Sequence, residues 1–187
     1  MNQMYIIIGV AAAVVLLLLF YVIGKRNGFV KARNAVEEAF ATMDVYLKKR
    51  WDLIPNVVET VKGYATHESQ TLENVIKVRN MAYNGLSDDA KMDVNQQLTA
   101  GLGRLMAVAE QYPELKANTL FVNLSSQLSA IEQDIANARK YFNAVTRDYN
   151  NAVEMFPGSI VAGLCGFKKK KMFEAEAASR ENVQVKF

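Results

Sequence analysis

The sequence holds one histidine, one cysteine, one tryptophan and three prolines in 187 residues, and its first 24 residues carry no charged side chain. Each scarcity removes a class of chemistry. His67, followed by "ESQT", lacks the second histidine that a zinc-binding helix places four residues after the first, and reads as a solvated polar residue. Cys165 alone forms no intrachain disulfide and has no ligand partner near it in sequence. No glycine-rich loop follows a strand to cradle phosphate. The metal, thiol and nucleotide constellations are therefore missing, and the expectation is a protein without cofactor, small-molecule substrate or catalytic residues. Few prolines and 51% hydrophobic residues exclude disorder and disulfide scaffolds. The net charge of +3, from 22 basic and 19 acidic residues, shows no clustered basic face, so no nucleic-acid partner is expected.

What the sequence does have begins at once. Met4 to Gly24, "MYIIIGVAAAVVLLLLFYVIG", is an uncharged run of 21 residues, long enough as a helix to cross a hydrocarbon core of about 30 Å. Lys25 and Arg26 follow it directly, where a cleaved signal peptide would carry small residues. The run reads as a single transmembrane anchor over residues 1–24. Basic residues follow the span and none precede it, which favours a short external N-terminus and a cytoplasmic domain.

Beyond the anchor, apolar residues recur three and four apart, which predicts an all-α fold. The clearest seam comprises Phe121, Leu124, Leu128, Ile131, Ile135, Ala138, Phe142, Val145, Tyr149, Ala152 and Phe156, in a helix from Leu120 to Phe156 roughly 55 Å long. An earlier seam uses Val36, Phe40, Met43, Leu47, Ile54, Val57, Val61, Tyr64, Val75 and Val78, and Arg50 interrupts it. Pro55 predicts a kink or split near Arg50 to Pro55. Gly85 stops that region, Ser87 caps a helix running from Asp88 to about Tyr112, and Pro113 opens the next turn. The fold class is thus an N-terminal transmembrane helix followed by an antiparallel bundle of three to four long helices, with the bundle domain over 25–156 and a tail over 157–187.

Two stretches are candidate sites. In "KKRWDLIPNVVETVKGYATHE", residues 48–68, Arg50, Trp51, Asp52, Pro55 and Glu59 are the hinge and register candidates. Their charges read as surface pairs, or Arg50 meets a carboxylate of the last long helix or of a neighbouring subunit, with Glu132, Asp134 and Asp148 as candidates. In "GSIVAGLCGFKKKK", residues 158–171, the apolar Ile160, Val161, Leu164 and Phe167 adjoin Lys168, Lys169, Lys170 and Lys171. Such a segment inserts partly at an anionic membrane surface, or covers the bundle end with its lysines solvated.

These motifs, in order, resemble the LemA family of bacterial membrane-anchored proteins: the 48–68 stretch after an anchor, "YPELKAN" before the last long helix, then "ARKYFNAVTRDYNNAVEMFP" with "GF" soon after. The resemblance covers essentially the whole chain. It implies a helical bundle on one membrane span and supplies no catalytic residues. Family members are associated with membrane organisation and, in some bacteria, with membrane proteases; one relative is linked to building internal membranes. The expected function is a membrane-anchored structural protein that self-associates through helical seams to organise or remodel membrane, with lipid and further copies of itself as partners. The alternative is a regulatory adaptor of another membrane protein, such as a protease or signalling receptor.

Overall fold

The computed structural model describes residues 2–65, 68–81 and 83–173; His67 and the tail from residue 174 onward lie outside the described residues. Among those described, the secondary structure is helical throughout: α1 (Asn2–Lys62), α2 (Ser69–Arg79), α3 (Asp88–Ala109), α4 (Pro113–Ala117), α5 (Thr119–Glu154) and α6 (Gly158–Cys165), with a single 3-10 turn at Tyr83–Gly85. The described residues pack as two compact units, one of residues 2–39 with 142–172 and one of residues 40–141 with Phe173.

In the first unit the apolar start of α1 is exposed along its length, and it is the one helix among the described residues long and apolar enough to cross a membrane. Burial begins at Phe29 and continues through Val36 and Ala39. The end of α5 supplies Phe142, Thr146, Tyr149 and Val153, and α6 supplies Val161 and Ala162. Gly166 closes α6 with φ 74°, a left-handed conformation that suits glycine, and Phe167 N–H reaches back to Ala162 O at 2.9 Å.

The second unit is the bundle. Its core draws Met43, Leu47, Ile54, Val57 and Val61 from α1, Leu72 and Val75 from α2, Leu98, Leu102 and Leu105 from α3, and Phe121, Leu124, Leu128 and Ile135 from α5. Contacts give the directions. Asp44 meets Lys91 and Arg50 meets Asn95, so this part of α1 runs with α3; Arg50 meets Glu132 and Tyr64 meets Asn118, so α5 runs against α1.

Several expectations need correction. The helical pattern runs unbroken across Pro55 to Lys62, so the helix is not split there. A proline removes one hydrogen bond, and buried Ile54, Val57 and Val58 hold the segment on either side. The earlier seam divides after Lys62, so Val75 and Val78 belong to a separate α2, and Tyr64 is partly exposed. Along α5, Ile131 and Val145 are only half-buried, while Phe156 lies past the helix end and is 79% exposed. Thr146 and Val153 are buried one position later than the heptad predicted. A helix near 3.6 residues per turn drifts by about 20° per heptad, which rotates Val145 off the buried stripe and Thr146 onto it.

Local capping follows the sequence. Ser87 Oγ accepts from Ala90 N–H at 3.3 Å. Pro113 occupies the first turn of α4, preceded by an extended Tyr112. The asparagine of "YPELKAN", Asn118, accepts from Phe121 N–H at 3.1 Å and so caps α5.

Candidate functional site

Arg50 stands one turn after Leu47 and one before Ile54, both fully buried, so its guanidinium is carried into the bundle core and is 0% exposed. Enclosing a charge is costly unless its donors are met. Nη1 donates to Glu132 Oε1 at 2.6 Å and Thr99 Oγ1 at 2.8 Å; Nη2 donates to Asn95 Oδ1 at 2.7 Å and to the Asn95 carbonyl at 3.0 Å. Asn95, also 0% exposed, donates to Lys91 O at 2.8 Å, which fixes its amide oxygen toward the arginine. Three helices are thereby tied at one level. Of the carboxylates open to Arg50 by sequence, Glu132 is the one present; Asp134 is exposed and Asp148 is beside Arg147.

A second polar group adjoins it. Buried Trp51 packs on Tyr83 with ring centroids 4.9 Å apart. Tyr83 Oη donates to Asp44 Oδ1 at 2.5 Å, and Lys91 Nζ donates to Asp44 Oδ2 at 2.7 Å while lying 5.1 Å from the Tyr83 ring. Burial, and then the Asp44 carboxylate, push the Tyr83 phenol well above its ordinary value. Asp52 pairs with Lys48 on the surface, and Pro55 and Glu59 are exposed.

Sequence reasoning missed Asp44, Tyr83, Asn95 and Thr99. The available signal was Asn95, three residues before Leu98 and so in register with the inward stripe of α3. Tyr83 carried no periodic signal because it sits in an irregular turn.

In the first unit, the lysine run is held against α5. Tyr149 Oη donates to Lys168 O at 2.8 Å, and Asn150 brackets Lys170, donating to its carbonyl and accepting from its N–H, both at 2.9 Å. Lys169 pairs with Glu154 at 2.8 Å and Lys170 with Glu37 at 3.0 Å; Lys168, Lys169 and Lys171 are exposed. The Tyr149 phenol is pushed up by burial, opposed by nearby Arg33 and reinforced by Glu37. The apolar candidates divide, which corrects their reading as one surface. Val161 is 3% exposed and faces inward, Phe167 is half-buried with its ring 5.2 Å from Phe29, and Ile160 and Leu164 face outward. A helix with one face packed cannot present all its apolar residues.

Charge also separates between the units. Residues 2–39 and 142–172 hold nine lysines and arginines against four carboxylates, whereas residues 40–141 hold eleven against twelve. Among the described residues no group of three or more His, Cys, Asp and Glu side chains is placed to hold a metal ion. What the two arrangements do chemically is pair, cap and space helices.

Over residues 39–187 the chain matches the LemA family. It is similar to Protein LemA of Metamycoplasma hominis, 23% identical over 167 residues that cover 89% of this chain and 76% of that one. Magnetosome protein MamQ of Magnetospirillum gryphiswaldense is 24% identical over 178 residues, covering 81% of this chain and 65% of its own length. Magnetosome protein MamQ 2 of Paramagnetospirillum magneticum is 35% identical over 77 residues, 41% of this chain and 28% of its own length. The chain thus spans less than two thirds of these two magnetosome proteins. With its apolar helix it points to a membrane-anchored protein, and with the match running from residue 39 to its last residue, the chain belongs to the LemA family.

Proposed function

We propose that the protein is a membrane-anchored structural protein of the bacterial inner membrane, with its bundle on the cytoplasmic side, that self-associates laterally and so organises the bilayer around it. The observation that carries this reading is a groove of about 700 Å³ between α3 and α5, lined by Met106, Ala109, Phe121, Val122, Ser125 and Ser129, with Val122 51% exposed. Its small side chains allow close approach of another helix. Copies held in one bilayer meet at high effective concentration, so even a weak contact there is amplified. Similarity to the MamQ proteins and to Protein LemA supports a membrane role, and the basic flank after the span supports the cytoplasmic side.

The test is particle size after extraction into native-lipid discs, for the wild type and for Val122→Glu. Large homo-oligomers that shrink in the variant are expected. A monodisperse wild-type monomer would end the structural reading, and small particles containing a foreign membrane protein would favour an adaptor.

A further inference from the structure

The end of the first unit leaves Phe156 and Leu164 79% exposed, Met155 66% and Ile160 57%. Ile160 and Leu164 lie one turn apart on the outer face of α6, opposite the side from which Val161 and Ala162 enter the core. So many large apolar side chains on one short segment call for a cover.

Their position identifies it. The start of α6 and the residue two past its end lie against Phe29: a Cβ built on Gly158 falls 3.5 Å from its ring, and the tilted Phe167 ring lies 5.2 Å from it. Phe29 follows Gly24, the end of the apolar run, by five residues, about 7.5 Å along a helix axis. A span that matches the hydrocarbon core therefore sets Phe29, and α6 with it, at headgroup depth. Alongside opens a cleft of about 520 Å³ lined by Phe20, Tyr21, Gly24, Lys25, Gly28 and Phe29, together with Ala152.

Charge selects between the surfaces that could cover this face. The unit carries nine basic residues against four acidic ones, and Lys25, Lys168 and Lys171 are exposed. A second copy would bring the same positive excess against it, whereas an anionic leaflet is complementary.

We infer that Met155, Phe156, Ile160 and Leu164 insert among the lipids of the leaflet from which α1 emerges, with Lys25 and Lys168 against anionic headgroups and an acyl chain in the cleft. The protein then holds its membrane at two points, the span and the α5–α6 corner. This inference rests on residues 4–24 crossing the bilayer.

Cys165, exposed at the end of α6, carries the probe. The full chain, labelled there with an environment-sensitive fluorophore, is reconstituted in phosphatidylcholine vesicles with and without phosphatidylglycerol. Expected are co-flotation with vesicles, quenching by lipids bearing a nitroxide near the headgroup, and shielding from aqueous iodide that deepens with phosphatidylglycerol. Lys168→Gln should lower the insertion equilibrium about fivefold, the equivalent of roughly 1 kcal/mol for a lysine near an anionic surface. The pair Ile160→Asp and Leu164→Asp, at exposed positions, should abolish the shielding with helicity and flotation intact. Equal iodide access in wild type and variant, with flotation intact, would overturn the inference alone. Shielding that follows protein density instead of phosphatidylglycerol would overturn it in favour of a second copy. Loss of flotation would remove the anchor and the inference together.

Discussion

Arg50 and Glu132, 82 positions apart in sequence, meet at 2.6 Å with the guanidinium wholly enclosed and the carboxylate side chain 34% exposed. The arginine has nowhere else to place its charge, because its other acceptors are the neutral Asn95 and Thr99. Glu132→Ala should destabilise the protein by about 1.5 to 3 kcal/mol, the range for hydrogen bonds to charged groups. Glu132→Gln, which keeps an acceptor, should cost less. Denaturant unfolding of the full chain in detergent micelles measures both. Equal stability of Glu132→Ala and wild type would remove the pair from the account of the core.

Tyr83 gives the bundle an alkaline limit. Its folded pKa lies above the unfolded value near 10, because burial and Asp44 both oppose the phenolate. A group whose folded pKa is raised contributes stability that is complete below the unfolded pKa and is lost as pH rises from there toward the folded value. Stability should therefore fall above about pH 10, and Tyr83→Phe should flatten that fall while lowering stability at neutral pH through loss of the Asp44 hydrogen bond. Unfolding midpoints across pH 8 to 11 test it; parallel curves for variant and wild type would refute it.

Gly158 has no room for a side chain. A Cβ there would fall 2.9 Å from the backbone carbonyl oxygen of Ala152, an atom that cannot swing aside. Gly158→Ala should cost about 1 to 3 kcal/mol, the scale of overpacking. Gly163→Ala, in the same helix and with nothing within 4 Å, should be neutral or slightly stabilising. Thermal unfolding of the two variants side by side gives the comparison.

Two isoleucines one turn apart on α5 should respond unequally. Ile135 is 1% exposed and Ile131 is half-buried. Ile135→Ala should cost about 2 to 5 kcal/mol, and Ile131→Ala less, since part of its methyl surface already meets solvent. Matching losses would restore the strict heptad reading.

Cys165 reports orientation because it is exposed. With the bundle in the cytoplasm, a membrane-impermeant thiol reagent should leave intact cells unlabelled and react after detergent lysis. Labelling before lysis would reverse the proposed topology.

The apolar N-terminal helix, the all-α class, the Ser87 cap and the turn at Pro113 were determined by the sequence alone. Each depends on residues adjacent in the chain: an uncharged run, a periodic stripe, a hydroxyl three residues before a free N–H, a ring that restricts its neighbour. The pairing of Arg50 with Glu132 was legible only as one of three options, because spacing within a helix says nothing about which carboxylate of another helix comes level with it. Tertiary structure decided that level. It also decided the outward turn of Leu164 and inward turn of Val161, since α6 is too short for periodicity to show a face. The division of the earlier seam into α1 and α2 stayed hidden for a related reason: its valines continue at helical spacing beyond Gly63, and only the structure shows that α1 ends at Lys62 and a separate helix begins at Ser69. Charge segregation needed the fold most of all. Residues 25–33 and 168–171 lie far apart in sequence and unremarkable in the net charge, and the fold gathers them into one compact unit in which Phe29 and Phe167 pack together.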